Sequence, residues 1–232
     1  MTDPTQNPAQ SAEQPEPAHI EALLKSDDFG DRVKAINLLR GIDPTLAFQL
    51  IQPLCDDANT RVRYAAVSQI ATLGEQDKST AYTLLTASLG DPEPDVQAAA
   101  ADALGALKLT DAVDDLKALY ETTSEWLVKM SIVACLGEMG DTRAFELLQT
   151  ALTQENSLIS ISAIGALGEL KDERAIPLLL PYVSDTDWQV RHRIAQALGN
   201  FAHQPDVAEA LKQLSHDDTA TVAETAKRFA AD

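Results

Sequence analysis

From residue 19 onward, apolar residues recur three and four positions apart, in stripes that break at short polar stretches and then resume. "DTRAFELLQTAL" (141–152) sets Ala144, Leu148 and Leu152 four apart. "NSLISISAIGALGEL" (156–170) sets Ile159, Ala163, Leu167 and Leu170 at spacings of 4, 4 and 3. Such spacing lines one face of an α-helix, so each stripe predicts a helix. "DVQAAAADALGAL", "WLVKMSIVACLGEM" and "WQVRHRIAQALGNF" repeat the second of these stripes.

The stripes keep a period. The second stripe opens at Asp31, Val62, Val96, Val128, Ile159, Val190 and Val222, in steps of 31 to 34 residues. A small residue in the preceding stripe falls at Ala47, Ala81, Ala112, Ala144, Ala175 and Val207, again in steps of 31 to 34. A lone helix pair cannot bury both of its apolar faces, whereas stacked pairs share one continuous core. The expected fold is therefore all-α, a solenoid of six to seven two-helix repeats. Residues 1–18, with four prolines and little apolar content, read as a disordered tail before a single solenoid over 19–232. Residues 19–42 would open the stack, and "TATVAETAKRFAAD" (219–232) would close it with one helix.

Smaller signals sit at fixed places in the repeat. Glycine recurs nine residues after the opening position at Gly105, Gly137, Gly168 and Gly199, where it either ends the helix or lets a neighbour approach closely. Pro53 and Pro181 each follow their small anchor by six residues, which predicts a shared kink. Polar clusters such as "DDANT" and "SDTD" suit turns and helix N-caps.

Charge removes whole classes of partner. Acidic residues number 36 against 18 basic, a formal charge of −18, which disfavours nucleic acid and anionic membrane surfaces. No apolar run approaches the 18 residues or so of a membrane span, and no secretory leader is present, so a cytoplasmic protein is expected. Cys55 and Cys135 lie more than two repeats apart and form neither a metal-ligand pair nor a disulfide framework. The glycines of "IGALG" lie within a repeated helix with no preceding strand, and no nucleophile, zinc or phosphate-loop motif occurs elsewhere. His19, His192, His203 and His216 form no i,i+4 ligand pair and read as structural or surface groups.

The candidate interaction residues are the scarce ones. The only two tryptophans, Trp126 and Trp188, hold the same repeat position, whose equivalents are the small residues Thr60, Pro94, Ser157 and Ala220. Each either fills a groove beside the preceding turn or stands out as a binding anchor. Arg61 and Arg63 flank Val62, and Arg191 and Arg193 bracket His192; with Tyr64 and Lys129 these complete the candidate set. The arginines either pair with turn carboxylates of their own or the next repeat, through Asp57–Arg61 and Asp187–Arg191 at i,i+4, or grip carboxylates of a partner.

Val62-Arg63-Tyr64-Ala65-Ala66 and Val190-Arg191-His192-Arg193-Ile194-Ala195 resemble the "VRxxAxxALG" helix of lyase-type HEAT repeats. More finely, residues 26–54, 61–74, 91–120, 125–141 and 185–201, taken in order, resemble the NblB-like phycobilisome-degradation proteins of cyanobacteria, relatives of the E/F-type phycobilin lyases. The resemblance implies a cytosolic scaffold that binds phycobiliproteins or the phycobilisome and promotes antenna disassembly or degradation under nutrient stress. It implies no permanently bound cofactor, a transient phycobilin at most, and a second HEAT subunit or proteolysis adaptor as a further partner. A bilin lyase or bilin-detaching enzyme is the alternative, and a general adaptor in iron–sulfur assembly or proteolysis the third reading. No catalytic residue is placed.

Overall fold

The computed structural model describes residues 16–230, which fold into fourteen α-helices and, among the described residues, no strand. Most of the expected tail therefore lies outside the described residues; its last two, Pro17 and Ala18, already begin the first helix. The helices fall into seven pairs: α1 (Pro17–Leu24) with α2 (Phe29–Leu38), α3 (Pro44–Ile51) with α4 (Thr60–Leu73), and α5 (Lys78–Ser88) with α6 (Pro94–Ala106). There follow α7 (Val113–Thr122) with α8 (Trp126–Met139), α9 (Phe145–Leu152) with α10 (Ser157–Leu170), α11 (Ile176–Leu179) with α12 (Trp188–Gly199), and α13 (Pro205–Leu214) with α14 (Ala220–Lys227). The closing helix is thus half of a complete pair with α13.

Polar residues start these helices as the pattern predicts. Asn59 accepts the Arg61 amide at 3.0 Å and Asp187 the Gln189 amide at 2.8 Å, satisfying N–H groups that lack an intrahelical partner. The two prolines act alike. Ahead of Pro53 and Pro181, α3 and α11 tighten into 3-10 turns at Gln52–Asp56 and Leu180–Ser184, because proline cannot supply the next α-helical donor.

The even-numbered helices pack on one another in an unbroken row from α2 to α14, while the odd-numbered ones stand apart. Helices that approach more closely on one side of a stack make that side the inner one. The core runs between the layers: Val62, Val96, Val128 and Val222 are fully buried, and Ile159 nearly so. The recurrent glycine proves to be a close-approach position. A methyl group on Gly137 would lie 2.4 Å from Ala166 Cα, one on Gly168 2.6 Å from Ala197 Cα, and one on Gly105 3.0 Å from Cys135 Cα. Their helices run on past these glycines; α12 alone ends at Gly199, which faces the Phe229 ring.

A second device joins repeats along one edge. Arg63 donates to the Asp57 carbonyl at 2.9 Å and to both carboxylate oxygens of Asp91 at 2.7 and 3.0 Å. Arg191 treats the Asp185 carbonyl and the Asp217 carboxylate in the same way. Arg32 donates to the Ser26 carbonyl and meets Asp57 at 2.8 Å. Each aspartate also accepts the amide two residues on, at Asn59, Glu93 and Thr219. The expected i,i+4 pairs are replaced: Asp57 holds Arg32, Asp187 caps α12, and Arg191 reaches across to Asp217. In the middle of the chain Gln97, Lys129 and Ser160 stand where the arginines would.

Two predictions follow from these joints. Gly137→Ala should cost about 2–3 kcal/mol because it overpacks backbone against backbone, whereas Gly90→Ala, with only an ordinary contact at 3.4 Å, should be close to neutral; urea denaturation of the two variants tests this. Arg191→Ala and Asp217→Ala should each destabilise, with a double-mutant coupling of about 1 kcal/mol. The hydrogen bond from Arg191, the Thr219 contacts and the Arg191 charge lower the Asp217 pKa despite some desolvation. A lowered folded pKa means the contribution is present above the ordinary aspartate pKa of about 4 and is lost as pH falls through the folded value. The gap between wild type and Asp217→Asn should therefore be full at pH 6 and shrink in more acid solution.

Candidate functional site

The inner layer places the N-termini of α8, α10 and α12 side by side, because successive even helices pack directly. Trp126 and Trp188 are the first residues of α8 and α12, with 47% and 45% of their surfaces exposed. Neither is buried beside the preceding turn. Between them Leu158, the second residue of α10, is 50% exposed. Three successive repeats thus turn a large apolar side chain outward at one rim. Leu158 was missed in the sequence because a leucine beside a helical stripe reads as core; its place one residue ahead of the buried Ile159 is the signal.

The basic candidates divide. Arg63 and Arg191 are engaged by Asp91 and Asp217 between repeats. Lys129 lies 5.1 Å from the centre of the Tyr120 ring, and His192 shares a hydrogen bond with Thr225 at 3.1 Å. Arg61 is exposed above the Phe29 ring, 5.7 Å from its centre. Arg193 lies across Gly165, where a Cβ would come within 3.0 Å of its Nε, and donates to Gln196 at 3.3 Å. Among the described residues, neither Arg61 nor Arg193 forms an ion pair, so these two guanidinium groups keep their charge available on the inner layer.

Beside this rim, a groove of about 680 Å³ runs between α4, α6 and α8. Tyr64, 48% exposed, stands on the α4 side and Leu127 on the α8 side, while α6 contributes Ala98, Ala99 and Ala103. Asp95 and Asp102 sit on the same strip of α6. Asp102 keeps solvent access, yet crowding by its surroundings raises its pKa above the ordinary aspartate value. The Glu138 charge adds to this and a hydrogen bond from Ser131 offsets part of it. The sequence holds this groove in plain view as "DVQAAAAD", but an alanine run reads equally well as close helix packing.

Elsewhere the chemistry is sparse. Both thiols are buried; burial pushes Cys55 up to about 12 and Cys135 higher still, the latter helped by Asp102 and Glu138 and opposed by a Gly105 amide contact. Among the described residues, no cluster of three or more His, Cys, Asp or Glu is placed to hold a metal ion, and no helix is long and apolar enough to cross a membrane.

The chain matches the model for HEAT repeats over residues 82–161 and 147–229. No curated protein matches it. Among solved structures it is similar to the complex of CpcE and CpcF of phycocyanin lyase from Nostoc sp. PCC7120, with 20% identity and a TM-score of 0.63, over 99% of this chain and 98% of that one. It is also similar to YibA of E. coli, with 15% identity and a TM-score of 0.66 over 92% and 80% of the two chains. An engineered protein matches at 21% identity and a TM-score of 0.59, over 90% and 66%. At these identities the likeness concerns the fold. The seven stacked helix pairs, the close-packed inner layer and the two matched spans agree on one assignment: the chain belongs to the family of HEAT-repeat proteins.

Proposed function

We propose that this chain is a HEAT scaffold that binds a phycobiliprotein and promotes its release from the assembled antenna. The observation that carries the reading is the rim of Trp126, Leu158 and Trp188, where three successive repeats expose large apolar side chains at the start of their inner helices. Half-exposed tryptophans are typical of a binding hot spot. The choice of partner is supported by the ordered sequence resemblance to phycobilisome-degradation proteins. It is also supported by the end-to-end correspondence of fold with one chain of the CpcE–CpcF complex of phycocyanin lyase.

That correspondence also favours a second reading, in which the chain assists bilin attachment or detachment. The thiols constrain it. A buried thiol with a pKa near 12 is essentially all protonated at neutral pH and is a poor nucleophile, so a thioether to bilin would form on the partner's cysteine and not on Cys55 or Cys135.

Electrostatics shape the encounter. Phycobiliproteins are generally acidic and this chain carries −18, so long-range repulsion should slow their approach and contact should depend on the apolar rim with Arg61 and Arg193.

Purified chain mixed with intact phycocyanin should shift the bilin absorbance peak in size-exclusion chromatography, and Trp126→Ala/Trp188→Ala should abolish the shift. Raising salt from low to moderate should strengthen the complex by screening like charges; steady weakening, or no shift at either salt, would overturn the reading in favour of a general adaptor. A disulfide reagent should label neither cysteine of the folded chain on the timescale that labels both in urea; rapid labelling of either in the native state would reopen chemistry on this chain's own thiols.

A further inference from the structure

We propose that the cavity between α2, α3 and α4 binds the C-terminal residue of a partner polypeptide, taking its carboxylate at Arg40, its amide N–H at Gln69 Oε1 and its apolar side chain against Ile42. The site lies several repeats from the rim of α8–α12 and does not depend on what binds there.

The cavity exists because one joint lacks the close-approach pair. Elsewhere a glycine nine residues after one opening position meets a small residue seven after the next, as Gly137 meets Ala166 and Gly168 meets Ala197. Counted from Asp31 and Val62, those two places hold Arg40 and Gln69. Two long side chains stand where a glycine and an alanine would let the helices close up. A cavity of about 580 Å³ opens beside them, within the size range of small-ligand sites.

Two polar groups of its lining lack partners. Arg40, exposed on the Leu39–Gly41 turn, forms no ion pair and no side-chain hydrogen bond among the described residues. Gln69 is only 6% exposed. Its Nε2 donates to the Ile36 carbonyl at 2.9 Å, which fixes the carboxamide and leaves Oε1 a buried acceptor without a donor. Buried acceptors are nearly always satisfied, so an N–H entering the cavity beside Gln69 relieves an outstanding desolvation. Half-buried Ile42 and exposed Pro44 supply an apolar wall.

Charge selects an anion here and nowhere else nearby. The chain carries −18, yet no acidic residue lines this cavity, whereas those that include Asp95, Asp91, Asp217 and Glu146 all hold carboxylates. The neighbouring acids Asp43 and Asp77 cap α3 and α5. A guanidinium grips a carboxylate with paired hydrogen bonds. An inorganic anion supplies no N–H for Gln69, and a free amino acid would bring its ammonium beside Arg40. The last residue of a polypeptide carries a carboxylate and an uncharged N–H on one carbon, which matches both groups.

The test uses fluorescein-labelled Gly-Ser-Gly-Ser-Leu with a free carboxylate, read by fluorescence anisotropy against the full chain. One twin ends in a carboxamide, and another has its last peptide nitrogen methylated. The free acid should bind, and each twin should bind roughly ten-fold more weakly. N-acetylleucine should displace the labelled peptide, and inorganic phosphate at the same concentration should not. Arg40→Gln should weaken the free acid about ten-fold with an unchanged thermal melt. Thr72→Glu, at an exposed position of the lining, should weaken it by repulsion. No binding of the free acid, equal binding of either twin, equal displacement by phosphate, or undiminished binding to Arg40→Gln would each overturn the proposal. None of these outcomes uses phycocyanin, so failure here leaves the reading of the rim standing.

Discussion

Gly137 lies so near Ala166 that one added methyl would sit 2.4 Å from its Cα, and Gly168 repeats the arrangement against Ala197. Helices that approach to this distance do so only because one side has no Cβ. The approach fixes how far the even-numbered helices are separated, and hence which side of the stack is the inner one. The functional surface inherits its geometry from this constraint. Trp126, Leu158 and Trp188 form one rim because α8, α10 and α12 are held shoulder to shoulder; spread apart, they would be three isolated apolar side chains of the kind any protein surface carries.

Along the inner layer the joints between repeats are of two kinds, divided along the chain, while Arg143–Asp114 and Arg174–Glu146 pair middle repeats on the other side. Towards the ends, Arg32–Asp57, Arg63–Asp91 and Arg191–Asp217 bind each inner helix to the turn of the next repeat. In the middle, where Gln97, Lys129 and Ser160 replace those arginines, the Gly105–Cys135, Gly137–Ala166 and Gly168–Ala197 approaches carry the packing. The acids change in step: Thr123 and Gln154 stand where Asp91 and Asp217 stand in their repeats. An ion-paired joint depends on pH and salt, and a backbone contact does not.

Much of this was legible because helical repeats write themselves along the chain at a fixed period. The burial of Val62, Val96 and Val128 follows from their place in the stripe, and the turn to 3-10 geometry ahead of Pro53 and Pro181 follows from the proline's missing donor. What was not legible depends on direction and on relative size. Asp57–Arg61 and Asp187–Arg191 have good i,i+4 spacing, but the carboxylates turn elsewhere: Asp57 to the guanidinium of Arg32 and the Asn59 amide, and Asp187 to the amide of Gln189. The true pairings span 25 to 28 residues and leave no local mark. Likewise only the stacking of α4, α6 and α8 sets Tyr64 and Leu127 on either side of α6, whose Ala98, Ala99 and Ala103 are themselves buried.

The net charge looks at first like an obstacle to any protein partner, and the distribution of the arginines explains why it need not be. By engaging Arg63 and Arg191 between repeats, the fold takes two cations out of the inner layer and leaves Arg61 and Arg193 free there. The inner face is then apolar at the rim, of mixed charge in the groove, where Arg61 stands with Asp95 and Asp102, and cationic again at Arg193. At long range such a surface repels acidic proteins indiscriminately. At contact range it accepts only those that can cover the tryptophans and meet the lone guanidinium groups. Long-range repulsion slows all such encounters, whereas apolar burial prolongs only the matching ones, so specificity on this scaffold should reside in dissociation rates more than in association rates.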